Sequence, residues 1–511
     1  MVDPKAPLLV KDLPPSCRVW IYGTGAAGRG LERFLAKSRQ DVRVLGFLDS
    51  FRSGRLGPYR IERFPEFVPS LESYGLILIA SGQSDGIVES LKAQGVQKYR
   101  VMVNEAPFLS ASFPLSFKER YGDPLRKGLL KISPSWGERG RIVFFSGYGG
   151  LFAGNPKALA LHLAQEWGIR PLWLASDPSL QASLPRMLVP LGIDVLPFPS
   201  FQAFGQLLGA RWLVLDNHDW RLKWPWLKDL PAPKLQLWHG VGFKRIERLR
   251  LGGVSLTEEE ERRVACRFPR YDLLTVTSPF YREKVFGPAF NLPQERLPLT
   301  GYPRNDLFYR SFPGEDAGGD TEVLKRVDHH RREGGRVVVY APTYREVRGM
   351  TDLSEALGGR ETVDFLRQYR ILLVMKAHAH PSFLTTLPGA DQWMISYAPR
   401  GDVMPLLKRA DLLVTDYSSL YTDFLHKGAP ILFYPFDREE YGEAFREMQF
   451  PYDSMTPGPK AMTPLQLREG ILSLLEGSDP WKERREELFS LAFTHRDGGS
   501  SRRVAELLER P

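Results

Sequence analysis

Histidines stand directly after two apolar segments of this 511-residue chain. His239 follows residues 234–238, while His378 and His380 follow residues 371–376, and both segments read as buried strands. Ligands bind at the carboxyl ends of parallel strands, so we expect these rings to project into a cleft. An imidazole titrates near neutral pH and can take the proton of an attacking hydroxyl. A single histidine at such a place is more often structural, but two equivalent strand exits favour a catalytic role.

A strand–turn–helix pattern in residues 411–437 predicts a phosphate-binding site. Residues 412–414 form a short apolar strand, and Ser418 and Ser419 stand where a predicted helix, residues 420–426, begins. Two hydroxyl groups beside free backbone N–H groups, at the positive end of a helix dipole, suit a phosphate. The alternative is that both serines only cap the helix.

Cationic, hydroxyl and carboxylate side chains occur in the loops after the same strands. Arginine can bind two phosphate oxygens at once, and lysine can neutralise a phosphate charge. The candidate substrate-binding residues of these loops are Lys244, Arg304, Thr343, Arg345, Lys376, Asp416 and Asp423. The aspartates could bind ribose or acceptor hydroxyls, orient a histidine, or cap a helix.

No metal site is predicted. His378 and His380 are only two positions apart, and neither an HExxH nor a DxD motif occurs. A phosphate transfer at these loops would therefore depend on cationic side chains and helix dipoles rather than on a metal ion held by the protein.

The N-terminal region carries the fingerprint of a dinucleotide-binding fold. Gly23, Gly25 and Gly28 lie between a predicted strand, residues 17–22, and a predicted helix, and Asp49 follows about 20 residues later. The pattern predicts a Rossmann-like unit. The glycines could cradle the phosphates of a nucleotide, or could simply permit a tight turn and close helix packing, and both interpretations stay open.

The composition is that of an ordinary globular protein, with 43% hydrophobic and 25% charged residues. The net charge of +9 favours anionic partners, among them nucleotides, phosphate polymers, nucleic acid and acidic membrane surfaces. The two cysteines cannot form a disulfide framework or a zinc site, which fits a reducing compartment. No run reaches the roughly 18 apolar residues of a membrane helix, and the N-terminus lacks the pattern of a secretory signal.

Strands alternate with helices along most of the chain, which predicts an α/β fold with parallel sheets. Further strands are predicted at residues 42–48, 76–80, 141–146, 171–175, 194–198, 212–215, 337–340 and 431–434. Residues 110–139 lose this rhythm and are rich in proline, glycine and charge, which indicates a linker. The predicted divisions are a smaller N-terminal Rossmann-like domain at residues 1–109, that linker, and two Rossmann-like domains at residues 140–305 and 306–511.

Four tryptophans, Trp212, Trp220, Trp224 and Trp226, stand close together among arginines and lysines. Such a group suits a membrane interface or an acceptor groove. Aromatic packing beneath a loop explains it equally well.

Nine short motifs of the chain together resemble one protein family. They are GNPK (154–157), QLWHGVGFK (236–244), GYPRND (301–306), YAPTYR (340–345), KAHAHP (376–381), TDYSSLYTDF (415–424), PFDREEY (435–441), TPGPK (456–460) and DGGSSRRV (497–504). In this order they resemble the CDP-glycerol glycerophosphotransferases, the family of teichoic-acid primases and polymerases. The resemblance covers roughly residues 139–511, so the N-terminal Rossmann-like unit lies outside it.

The resemblance implies a GT-B architecture, in which two Rossmann-like halves face a cleft and CDP-glycerol lies mainly against the C-terminal half. It implies that an acceptor hydroxyl attacks the phosphate attached to glycerol and that CMP leaves. His239 of the WHG motif is then the general base. His378, with His380 as the other candidate of its motif, is the second essential histidine. The implied pyrophosphate ligands are Arg345, Ser418 and Ser419, with Asp416 in the same site.

The resemblance also implies partners. These are CDP-glycerol, a lipid-linked or polyol-phosphate acceptor and an anionic membrane surface, with the protein cytoplasmic and peripheral on the inner face of the membrane; neither nucleic acid nor a cofactor is implied. The N-terminal unit is similar to domains that bind NAD or a sugar nucleotide. Three alternatives remain: CDP-ribitol as donor, a nucleotide-sugar glycosyltransferase on the same fold, and a nucleotide-binding scaffold without activity.

Overall fold

The structure contains three separate β-sheets. It is a computed structural model that describes residues 13–24, 26–50, 52–68, 76–80, 84–96, 98–101, 140–217, 220, 224, 227–228, 230–251, 271–343, 357–376, 392–438 and 448–509. The predicted linker at residues 110–139 lies outside this part of the chain.

The first sheet has the strand order β3-β4-β2-β1-β5-β6. Its strands are β1 (Arg18–Tyr22), β2 (Arg43–Asp49), β3 (Gly54–Leu56), β4 (Tyr59–Arg63), β5 (Leu76–Ile79) and β6 (Tyr99–Val101). All of its pairings are parallel except that of the β3–β4 hairpin. The predicted Rossmann-like unit is confirmed. The hairpin escapes prediction because its strands are short and polar.

The middle and C-terminal sheets have the strand order of doubly wound folds. The middle sheet, in the order β12-β11-β10-β7-β8-β9, consists of β7 (Ile142–Phe145), β8 (Leu172–Ala175), β9 (Asp194–Pro197), β10 (Trp212–Leu215), β11 (Lys234–Gln236) and β12 (Leu273–Leu274). The C-terminal sheet, in the order β15-β14-β13-β16-β17, consists of β13 (Arg336–Ala341), β14 (Ile371–Met375), β15 (Met394–Ser396), β16 (Leu412–Thr415) and β17 (Ile431–Phe433). The strand order reverses between β7 and β10 and between β13 and β16, which is where such folds bind ligands.

Helices connect these strands. In chain order they are α1 (Ala26–Ser38), α2 (Ser84–Ala93), α3 (Gly147–Gly150), α4 (Gly154–Glu166), α5 (Pro178–Gln181), α6 (Ser183–Leu188), α7 (Phe201–Leu208), α8 (Pro279–Tyr281), α9 (Gly287–Phe290), α10 (Thr321–Arg332), α11 (Gly359–Gln368), α12 (Met404–Arg409), α13 (Leu420–Phe424), α14 (Tyr452–Met455), α15 (Pro464–Leu475), α16 (Lys482–Ala492) and α17 (Ser500–Glu509). None of the helices in the described part of the chain has the length and apolar character needed to cross a bilayer.

Apolar strands form the cores of the two larger sheets. The strand sequences IVFF of β7 and LLVT of β16 are buried throughout, as expected for parallel strands that are covered on both faces. The tryptophan group belongs partly to such a core, since Trp220 is buried and the Trp224 ring lies 4.9 Å from the Phe198 ring. Aromatic packing therefore accounts for these two residues, while Trp226 lies outside the described residues.

The C-terminal helix α17 packs against the middle sheet rather than the C-terminal one. Its residues Val504, Ala505 and Leu508 are buried in the core beneath β7, β8 and β10. The indole Nε1 of Trp212 donates to the carbonyl of Leu508 at 3.1 Å. The last described segment of the chain thus joins the two larger sheets.

Candidate active site

The loop after β11 contacts the start of helix α13, which follows β16. A methyl group added at Gly240 would lie 3.0 Å from Nη2 of Arg304 and 3.2 Å from Oγ of Ser419. The hydroxyl of Thr422 donates to the carbonyl of Val241 at 3.0 Å. Gly240 also has a φ of +141°, a conformation that residues with a side chain rarely adopt. The carboxyl ends of the middle and C-terminal sheets therefore meet here, and only glycine fits at position 240.

His239 stands at the exposed edge of this contact. Its Nδ1 lies 3.0 Å from the backbone carbonyl of Asp216. A carbonyl can only accept, so in the neutral ring the proton is on Nδ1 and the lone pair is on Nε2. The ring stacks on the indole of Trp238 at 4.3 Å. The structure therefore holds His239 in the tautomer that a general base requires.

The carbonyl that orients His239 is itself fixed. The carboxylate of Asp216 accepts from the backbone N–H of Gly147 at 2.9 Å and from the hydroxyl of Ser146 at 3.2 Å. These bonds connect the ends of β7 and β10 at the point where the strand order of the middle sheet reverses. Asp216 is absent from the predicted residues, although it directly follows the predicted strand at residues 212–215, and this position at a strand end is the signal that could have found it.

Arg304 is clamped by Asp423. Its Nε and Nη2 donate to the two carboxylate oxygens at 2.9 and 2.6 Å. The carboxylate is almost completely buried, at 1% exposure, and the guanidinium side chain is 11% exposed. Burial raises the pKa of Asp423, and the guanidinium opposes that rise. Asp423 is thus placed to hold Arg304 beside Gly240, and its predicted contact with a substrate stays a prediction.

The two predicted phosphate-binding serines differ in their contacts. Oγ of Ser418 accepts from the backbone N–H of Leu420 at 3.3 Å, which is a capping contact. Ser419 occupies the N-cap position of α13, but its hydroxyl makes no capping hydrogen bond. Its Oγ instead lies close to Gly240. The capping interpretation fits Ser418, and the ligand interpretation fits the geometry of Ser419.

Thr343 and Asp416 bind each other. The backbone N–H of Thr343 donates to Oδ1 of Asp416 at 2.8 Å, and its hydroxyl donates to the same oxygen at 2.6 Å. The backbone N–H of Tyr417 adds a third bond at 2.5 Å, and the Asp416 carboxylate is fully buried. These contacts fix the ends of β13 and β16 together, and the predicted binding of substrate by both residues stays a prediction.

The side chain of Lys376 and the backbone of Lys244 both make contacts within the protein. Nζ of Lys376 donates to the carbonyls of Ala398 at 2.9 Å and Pro399 at 2.5 Å, and burial lowers its pKa to about 8. Lys244 forms an antiparallel bridge with Met448. Their predicted contacts with substrate stay predictions.

Three predicted site residues lie outside the described part of the chain. These residues are Arg345, His378 and His380. Among the described residues, no group of three or more histidine, cysteine or carboxylate side chains could hold a metal ion.

The N-terminal glycine loop contacts Asp49, the acidic residue of the predicted fingerprint. A methyl group at Gly28 would lie 1.8 Å from the carbonyl oxygen of Gly23, so helix α1 packs too closely for any other residue. The hydroxyl of Thr24 donates to Oδ2 of Asp49 at 2.5 Å. Close helix packing thus accounts for Gly28, while Gly25 lies outside the described residues. Nucleotide binding by this loop stays a prediction.

Comparisons with known proteins agree on one family. Residues 132–510 match the family described as CDP-glycerol:poly(glycerophosphate) glycerophosphotransferase. A teichoic acid glycerol-phosphate transferase of Staphylococcus aureus is 25% identical over 380 residues, which are 72% of this chain and 92% of that protein. A teichoic acid ribitol-phosphate primase of Bacillus spizizenii is 26% identical over 348 residues, 66% of this chain and 85% of that protein.

The fold is also that of a solved structure. The wall teichoic acid polymerase TagF superposes with a TM-score of 0.61 at 21% identity, covering 77% of this chain and 94% of that chain. The similarity supports the GT-B arrangement of the middle and C-terminal sheets.

Proposed function

Because this chain belongs to the CDP-glycerol:poly(glycerophosphate) glycerophosphotransferase family, and is therefore an enzyme that transfers glycerol phosphate, we propose that the reaction takes place where the loop after β11 meets helix α13. The observation that carries the proposal is the contact of Gly240 with Arg304 and Ser419. It brings a histidine in the tautomer of a base next to a guanidinium and a hydroxyl that suit a phosphate.

In the proposed reaction an acceptor hydroxyl attacks the phosphorus atom that carries glycerol. Nε2 of His239 takes the hydroxyl proton as the new oxygen–phosphorus bond forms. The bond from that phosphorus to the bridging oxygen breaks, and CMP leaves with the oxygen and the electron pair. Arg304 and Ser419 bind the phosphate oxygens, on which negative charge accumulates. Asp423 keeps the guanidinium in place throughout.

The acceptor we propose is a lipid-linked or polymeric polyol phosphate at the cytoplasmic face of a membrane. The net charge of +9 supports attraction to an anionic membrane surface and to an anionic acceptor. Mass spectrometry of the product formed from CDP-glycerol and lipid-linked acceptors would identify the acceptor.

CDP-ribitol is the second candidate donor. The similarity to a protein named as a ribitol-phosphate primase favours it. Both donors present the same CDP group and a polyol phosphate, so His239, Arg304 and Ser419 would serve either one. CMP release from the two donors, measured beside the turnover of UDP-sugars, separates both candidates from a nucleotide-sugar glycosyltransferase.

The His239→Ala variant tests the proposed base. Loss of a general base lowers the rate by about 100- to 10,000-fold, while the dissociation constant of CDP-glycerol should stay close to that of the wild type. CMP release and calorimetric binding of the donor measure the two effects. The control is His329→Ala, because His329 is an exposed residue of α10 that pairs with Glu333. CMP release at the wild-type rate by His239→Ala would remove His239 from the mechanism.

A further inference from the structure

Asn155 lies in the first turn of helix α4, in the GNPK motif, and its side chain is not used to cap that helix. The N-cap position belongs to Ala153, and the Asn155 residue is 1% exposed. A buried amide must place its donors and its acceptor on other groups of the protein. The hydrogen-bond partners of Asn155 therefore indicate its role in the structure.

The amide of Asn155 connects the two halves of the proposed site. Its Nδ2 donates to the carbonyl of Trp238 at 2.9 Å and to that of Leu237 at 3.3 Å. Its Oδ1 accepts from the backbone N–H of Arg304 at 3.2 Å. One side chain thus contacts both Trp238, the residue before the proposed base, and the backbone of Arg304.

The backbone before His239 requires this support. Trp238 has a φ of +55°, in the left-handed region that a bulky residue seldom adopts. Such a conformation persists only where the surroundings hold it. The side-chain carbonyl of Gln236 accepts from the N–H of Trp238 at 2.8 Å, and Asn155 holds the carbonyl of the same residue. Without Asn155, the carbonyl of the peptide that leads into His239 loses this hydrogen bond.

We propose that Asn155 is a positioning residue for the transfer reaction, which sets the place of His239 relative to Arg304. The inference rests on the proposed function, because it assigns the base to His239 and phosphate binding to Arg304. Asn155 itself touches no substrate. Its effect on kcat is exerted mainly through the placement of His239, so most of that effect should disappear when His239 is absent.

A double-mutant cycle tests this dependence. Asn155→Ala should lower kcat at saturating CDP-glycerol by about 100-fold, the loss expected when a catalytic group is displaced by about 1 Å. In the His239→Ala background the same substitution should change kcat by less than about threefold, because residues that act as a unit are strongly non-additive. An equal fold loss in both backgrounds would overturn the inference and leave Asn155 as a general structural residue.

Two further variants keep the test decisive. Asn155→Asp retains the side-chain size and the acceptor for the N–H of Arg304, but it places an oxygen opposite the carbonyl of Trp238. It should therefore reproduce the loss of kcat even if the alanine variant folds poorly. The control variant is Leu163→Ala, because Leu163 lies in the same helix and is fully buried in the core of the middle sheet. It should lower the melting temperature while kcat, measured well below that temperature, stays within about twofold.

The outcomes separate the two claims. If His239→Ala keeps the full rate, the proposed function of the site fails. If His239→Ala loses the rate but the Asn155 effect persists undiminished in its background, only the inference about Asn155 fails.

Discussion

Adjacent residues of one type have different contacts in this protein, and Ser418 and Ser419 are the clearest case. The hydroxyl of Ser418 accepts a backbone hydrogen bond, whereas that of Ser419 lies close to Gly240. Sequence alone gives both residues the same interpretations. Only the direction of each side chain separates a cap from a ligand.

Ser419→Ala and Ser418→Ala should therefore affect different properties, the first the affinity for CDP-glycerol and the second the stability of the fold. A hydrogen bond to a charged group contributes about 1.5–3 kcal/mol, so Ser419→Ala should raise the dissociation constant of CDP-glycerol by about 10- to 100-fold with little change in stability. Ser418→Ala should leave that constant unchanged and cost about 1 kcal/mol of unfolding free energy, through the lost cap. Calorimetric titration and urea unfolding measure the two quantities. An unchanged constant for Ser419→Ala would mean that this serine binds no phosphate.

At the scale of elements, each sheet connects neighbouring strand ends through an aspartate. Asp216 joins β10 to β7, Asp416 joins β16 to β13, and Asp49 joins β2 to the residues after β1. The carboxylate accepts hydrogen bonds from the loop of the neighbouring strand in each case. In a sequence, an acidic residue at the end of a strand indicates a ligand contact. In this structure, these three aspartates hold loops in place at the ligand-binding edge of a sheet.

The turn after α13 contains a buried histidine that makes stability depend on pH. The His426 ring packs against the rings of Phe489 and Phe493, and its two nitrogens contact Asn305 and Tyr309 at 2.9 and 2.8 Å. Burial lowers its pKa to about 3 from the ordinary value of 6.5. Below pH 6.5 the unfolded chain binds a proton that the folded chain does not, so this residue's contribution is present above 6.5 and is lost as the pH falls towards 3.

The His426→Phe variant should remove that dependence. Relative to the variant, the wild type should lose up to about 1.4 kcal/mol of unfolding free energy for each pH unit between 6 and 4. Urea unfolding of both proteins over this range measures the difference. Leu324→Ala, a buried and non-titrating change in α10, is the control whose difference from the wild type should not vary with pH. A flat difference for His426→Phe would show that His426 is protonated in the folded protein.

Sequence patterns predict the elements of this fold well, because apolar runs such as those of β7 and β16 record burial directly. They fail where a contact joins distant residues. The amide of Asn155, for example, binds the carbonyl of Trp238, 83 residues away. Likewise Asp423 clamps Arg304 across 119 residues. The motifs therefore locate the site, but the spacing of residues cannot tell which side chains support and which would touch a ligand.

At the scale of the whole molecule, several ion pairs connect the region of the middle sheet with that of the C-terminal sheet, and two of these pairs differ sharply in burial. Nζ of Lys157 lies 2.8 Å from Oδ2 of Asp402, and each side chain is 4% exposed. Arg400 and Asp177 form the other pair at 2.7 Å, with 45% and 26% of their side chains exposed. Both pairs involve the loop that follows β15.

Because the two pairs differ in burial, breaking them should cost very different amounts of unfolding free energy. Lys157→Met leaves the Asp402 carboxylate buried without its cation and should cost about 3–5 kcal/mol of unfolding free energy. Arg400→Ala removes a solvated pair and should cost about 0–1 kcal/mol. Urea unfolding of both variants provides the comparison. Adding Asp402→Leu to Lys157→Met should recover part of the loss, and equal costs for the two single variants would contradict the assignment.

Helix α17 gives the protein an order of assembly during its synthesis. The middle sheet is complete by Leu274, yet its core includes Val504, Ala505 and Leu508, more than 200 positions later in the chain. A ribosome must therefore make the whole C-terminal sheet before those apolar side chains can reach their places. Until then the surface that they cover faces water, and the nascent middle sheet has no closed core on that side. The enzyme can acquire its native packing only once residues 500–509 have left the exit tunnel.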